Sequence, residues 1–145
     1  MSTEISDSLL NELFILETPV PEKDESGQNS CLANIYSAFS GKVVLAIFYG
    51  SIGLPCLERF DSSLRLTLTG NSDQIVISLE NVIKLSRSAV GELTSFAAEV
   101  LGRKKQLYLL KASTALRQRL TDLALTSFFQ FLETDDELIS ILPTE

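Results

Sequence analysis

Apolar and polar positions fall in blocks along this chain, and the period of the pattern changes from block to block. Residues 32–39 and 43–49 are apolar and aromatic runs separated by Ser40-Gly41-Lys42, which predicts a β-hairpin. The second run is nearly continuous, as in a strand covered on at least one face. Gly50-Ser51-Ile52-Gly53 interrupts it, and Pro55 suits the first turn of a helix. Leu57, Phe60, Leu64 and Leu68 then recur at steps of three and four, making one helical stripe that Gly70-Asn71 ends.

Residues 74–79 read as a buried strand. Residues 88–101 read as a helix with Val90, Leu93, Phe96, Ala97, Val100 and Leu101 inward, terminated by Gly102. A further strand is expected over 106–111. Ser113 then caps a helix with Leu116, Leu120 and Leu123 inward. A short strand follows within 127–132. Thr134 and Glu137 form a capping box that opens a last helix through Leu138, Ile141 and Leu142, stopped by Pro143. Asp135 and Asp136 fit as first-turn acids facing the helix dipole better than as a metal or acid–base pair.

The order is hairpin, helix, strand, helix, strand, helix, short strand, helix. Such alternation predicts an α/β fold with a mixed, mainly parallel sheet of four to five strands and right-handed crossovers. About four helices are expected, beginning near Pro55, Ser88, Ser113 and Thr134. The expected core is Leu57, Phe60, Leu64, Val90, Leu93, Phe96, Leu116, Leu120 and Leu123.

Residues 1–31 have a different character and read as an N-terminal extension and linker, with the domain proper over 32–145. Residues 19–30 carry two prolines and a glycine with hardly any apolar mass. The apolar cluster just before them has two uses: docking on the domain, which is favoured, or binding a partner.

Composition narrows the function. The 145 residues are 45% hydrophobic and 21% charged, enough to bury a core, and the net charge is -7. A surface of that sign repels phosphate backbones and anionic lipid, so neither nucleic acid nor membrane insertion is expected. The basic run Arg103-Lys104-Lys105 reads as a helix end facing the dipole. No apolar stretch approaches a bilayer span, and the start Met1-Ser2-Thr3-Glu4 lacks a basic signal region, so a cytoplasmic location is expected.

Histidine is absent, which removes Ser-His-Asp and Cys-His catalysis and His-ligated zinc. Cys31 and Cys56 are too few for a disulfide framework and lack metal-ligand spacing, and Cys56 reads as a small core residue. Gly41-Lys42 lacks the upstream glycine and downstream hydroxyl of a phosphate loop. No catalytic, metal or cofactor site is expected. A carboxylate-dependent enzyme or a nucleotide-binding protein is set aside on these grounds.

Three stretches carry a resemblance over residues 32–142. The first is Ile47-Phe48-Tyr49-Gly50, a strand ending in glycine before a helix. The second is the strand from Ile75 to Leu79, a polar turn, and Ser86-Arg87-Ser88-Ala89-Val90-Gly91 at a helix start. The third runs from Gln106-Leu107-Tyr108-Leu109-Leu110 to Phe128-Phe129-Gln130-Phe131. In order and spacing they resemble the STAS domain, the SpoIIAA-like fold of anti-sigma factor antagonists. In that family the central turn reads Asp-Ser-Ser-Gly-apolar-Gly, and a partner kinase phosphorylates its first serine. Here Ser86 takes the place of the Asp, Arg87 that of the acceptor, Ser88 the second serine and Ala89 the first glycine, while Val90 and Gly91 match.

The resemblance implies a non-enzymatic partner-switching protein without the standard serine switch. Its expected partner is an anti-sigma factor of the GHKL kinase type, or a similar switch protein. The alternative is a STAS subunit of a larger assembly, such as a lipid-transport complex or a stress-signalling scaffold. The expected contact residues are Gly50, Ser51, Ile52, Gly53, Ser86, Arg87, Ser88 and Ala89. Ser88 and Ser86 are candidate phosphoacceptors, and each reads equally as a cap or turn residue.

Overall fold

The structure, a computed structural model, describes Leu10, residues 12–17 and residues 32–143. The linker at 19–30 and Cys31 lie outside the described residues. The strands are β1 (Ile15–Leu16), β2 (Leu32–Ala38), β3 (Val43–Ile52), β4 (Gln74–Leu85), β5 (Gln106–Leu110) and β6 (Gln130–Leu132). The helices are α1 (Leu57–Leu66), α2 (Arg87–Gly102), α3 (Thr114–Asp122) and α4 (Asp135–Ile141), with single 3-10 turns at Leu54–Cys56 and Thr126–Phe128.

The strands form one sheet in sequence order β1-β2-β3-β4-β5-β6. The first two pairings are antiparallel and the remaining three parallel. Among the described residues the mixed α/β architecture is as the sequence predicts, with these four helices at the expected places, Leu10, Glu12 and Leu13 also helical ahead of β1, and six strands rather than four or five. The additional edge strand is β1, where Ile15 pairs with Ser37 and Leu16 with Tyr36. Beside it Phe14 is buried, so this segment docks on the domain.

Side chains alternate across the sheet because successive Cβ atoms point to opposite faces. Along β3, Val44, Ala46 and Phe48 face one core, while Val43, Leu45 and Ile47 face the other. The first is closed by Phe60 and Leu64 of α1, Leu93, Phe96 and Val100 of α2, and Leu116 and Leu120 of α3. Phe48 and Phe60 meet edge to face at 5.1 Å. Leu138 of α4 and Phe14 close the second.

Several boundaries differ from the sequence reading. Strand β3 does not stop at Gly50 but runs to Ile52, because Gly50 takes φ +81° where the register with β4 shifts. Only a residue without Cβ holds that conformation cheaply inside a strand. β4 likewise continues past Leu79 to Leu85, through what reads as a polar turn. Helix α2 is capped by Ser86, not Ser88. Its end is turned by Lys104 at φ +60° rather than by Gly102, and Leu101, expected inward, is 46% exposed at the edge of the stripe.

Leu123 is also a correction. It is 55% exposed, because α3 ends at Asp122 and Ala124 turns left-handed at φ +58°, taking Leu123 off the buried stripe. Cys56 is not a free core thiol. It is only partly buried and is disulfide-bonded.

Candidate functional site

The expected contact residues gather at the carboxyl ends of the central parallel strands, where β3 and β4 hand over to α1 and α2. Ser51 pairs with Lys84 and Ile52 with Leu85. The Ser86 amide then donates to the Ile52 carbonyl at 2.9 Å. This bond ties the end of β3 to the cap of α2. Gly53 lies against the same cap, since a Cβ added there would stand 4.0 Å from Ser86 Cβ. The two sequence segments, some thirty residues apart, thus form one surface.

Ser86 has extended backbone at φ -70°, ψ 166°, and its Oγ accepts from the Ala89 amide at 3.1 Å. The hydroxyl thereby satisfies one of the free donors of the first helical turn. That occupation gives Ser86 the N-cap role in α2. Arg87 is the first helical residue, exposed, with Ser88 exposed beside it. An arginine at this end opposes the helix dipole by roughly 0.3–1 kcal/mol where solvated. Gly50, Ile52 and Ala89 are buried and shape the backbone from below. The outward surface is therefore Ser51, Gly53, Leu54, Arg87 and Ser88, with Leu54 70% exposed.

Nearby charges are engaged elsewhere. Lys111 holds Glu80 at 3.2 Å and Asp135 at 3.3 Å. Thr134 Oγ1 accepts from the Glu137 amide at 3.1 Å, so the first-turn acids of α4 serve the fold. In the basic run, Arg103 holds Glu99 at 2.8 Å and Lys105 donates to the Ser72 carbonyl. Among the described residues no cluster of three metal-ligating side chains occurs, and no helix is long and apolar enough to cross a membrane.

Sequence reasoning missed the flank of this surface. Two hollows adjoin it and share Arg119. One, of about 250 Å³, lies between the end of β4 and the start of α3, with Ile83, Lys84 and Leu116 in its lining. The other, of about 550 Å³, runs between α2 and α3 and includes Arg87, Val90, Leu123 and Leu125. A solvent-facing Ile83 within a strand was the one available signal, obscured by reading 80–85 as a turn.

The architecture matches the STAS fold, that of SpoIIAA-type anti-sigma factor antagonists. No protein-family model and no curated protein matches the chain. Among solved structures, an anti-sigma factor antagonist from Mycobacterium paratuberculosis is similar at TM-score 0.65 and 19% identity, over 78% of this chain and 95% of that one. The Bacillus cell fate determinant SpoIIAA in its phosphorylated form is similar at TM-score 0.60 and 13% identity, over 77% and 100%. SpoIIAA in its unphosphorylated form gives TM-score 0.58 and 16% identity, over 75% and 96%. At these identities the likeness is one of fold.

Proposed function

We propose that this chain is a non-enzymatic STAS regulator of the cytoplasm that holds a protein partner through the end of β3 and the first turn of α2. The partner would be an anti-sigma factor of the GHKL kinase type or a similar switch protein. The observation that carries this reading is Arg87, an exposed cation at the first position of a capped helix in an anti-sigma factor antagonist fold.

A phosphate at this position would add about -1.5 to -2 charges to the surface and expel an acidic partner. Arginine cannot accept that phosphate and carries a permanent positive charge with planar donors suited to a carboxylate. Ser86 is committed to its cap. The proposed outcome is constitutive binding, without a serine switch and without a cofactor.

Affinity purification of the tagged chain from its own cells tests the reading. Recovery of a GHKL-type kinase or comparable switch protein supports it. Stoichiometric recovery of a transporter ATPase or scaffold subunits would instead assign the chain to a larger assembly.

A further inference from the structure

The two hollows beside the site have a charge out of keeping with the molecule. The chain carries a net charge of -7, yet the linings contribute Lys84, Arg87 and Arg119 against a single acid, Asp122. Asp122 is itself engaged, accepting from Gln118 Nε2 at 2.8 Å. Elsewhere three of the four arginines are matched: Arg65 and Arg103 hold Glu99, and Arg117 holds Glu133. Among the described residues Arg59, Arg87 and Arg119 hold no carboxylate, and two of those three line the same groove. The floor of that groove is apolar, and its rim exposes Leu123, with Ile83 82% exposed in the adjoining hollow.

We propose that the groove between α2 and α3 receives an amphipathic helix of the partner protein, with apolar side chains on one face and carboxylates along its edges. This deepens the proposed function and rests on it, because Arg87 belongs to both surfaces. A furrow lined by two helices suits apolar anchors spaced three and four residues apart. Unpaired arginines at the rim select acidic flanks, and their planar forks favour carboxylates. An anionic nucleic acid would meet the same cations, but it supplies no apolar anchor for Leu123 and Leu125 and meets the acidic remainder of the molecule.

Photocrosslinking in the full chain, in its own cells, tests this. p-Benzoylphenylalanine is introduced at position 123 in place of Leu123 and, in a separate strain, at position 51 in place of Ser51. The crosslinked peptides are then sequenced. The proposal expects both positions to capture one protein, with position 123 joined to a segment of net negative charge whose apolar residues recur at helical spacing. Arg119→Glu should lower the yield at position 123 roughly five- to tenfold, with the thermal midpoint only slightly reduced by the loss of a cation from the last turn of α3. Capture at 51 with none at 123 overturns the groove and leaves the proposed function standing. So does a position-123 adduct with a second copy of this chain, a small molecule or nucleic acid. Capture at neither position overturns both.

Discussion

The amide of Ser86 donates to the carbonyl of Ile52 at 2.9 Å, joining the last residue of β3 to the cap of α2. The bond holds Gly53 and Arg87 in one surface, so the site depends on the exit of β3 as much as on the helix itself. Its cap can be tested directly. Ser86→Ala should cost about 0.5–2 kcal/mol by loss of the N-cap. Ser88→Ala, at an exposed position inside the first turn, should stay within roughly 0.5 kcal/mol of neutral. Urea unfolding of the two variants distinguishes them, and a reversed ranking would move the cap to Ser88.

Core packing gives a second contrast. Phe96 is fully enclosed, and Phe96→Ala should cost about 3–5 kcal/mol. Leu123→Ala should be near neutral, since over half of that side chain is in solvent. Equal losses at the two positions would mean that Leu123 belongs to the core.

Much of this was legible in the pattern of apolar residues. The stripe of Phe60 and Leu64, the inner face of α2 and the cap at Ser113 lie where the sequence places them. What the pattern could not reveal was backbone that changes direction without glycine or proline. Lys104 and Ala124 both turn left-handed just past the helix ends, and the last expected position of each stripe, Leu101 and Leu123, is exposed. Gly50 misled in the opposite sense, continuing a strand that it was expected to end. At the candidate site, a helix start near 86–91 was readable because it is local. The flank formed by Lys84 and Arg119 was not, because it depends on where the fold sets α3 against the end of β4.

Between α1 and α2, Glu92 is held above the usual carboxylate range, first by partial burial and then by its hydrogen bond to Asp61 and the negative charge of Asp61, with Arg65 opposing. A carboxyl group raised in the folded state favours folding while protonated. Its contribution is present below the unfolded pKa and is lost as pH rises through the raised folded value. Glu92→Gln should therefore raise the thermal midpoint slightly at neutral pH, with the gain vanishing in acid. A gain that instead grows on acidification would contradict this sign.

The disulfide at Cys56 makes a prediction that also bears on compartment. Cys56→Ser should lower stability by about 2–4 kcal/mol in the oxidised protein and have no such effect when the wild type is reduced first. Because cytosolic proteins seldom keep structural disulfides, thiol trapping in intact cells should find Cys56 largely reduced if the chain works in the cytoplasm. Full oxidation there would argue against that location.

In the proposed function, Arg87 holds a partner constitutively at the position matched to the family's phosphoacceptor. The most direct measurement is a calorimetric titration of the purified partner against the wild type and Arg87→Glu, before and after incubation with that partner and ATP. Tight binding by the wild type, unchanged by ATP, is expected, with roughly tenfold or greater weakening by Arg87→Glu and the fold intact. Equal affinities for the two proteins, or stoichiometric phosphate on Ser88 that releases the partner, would contradict it.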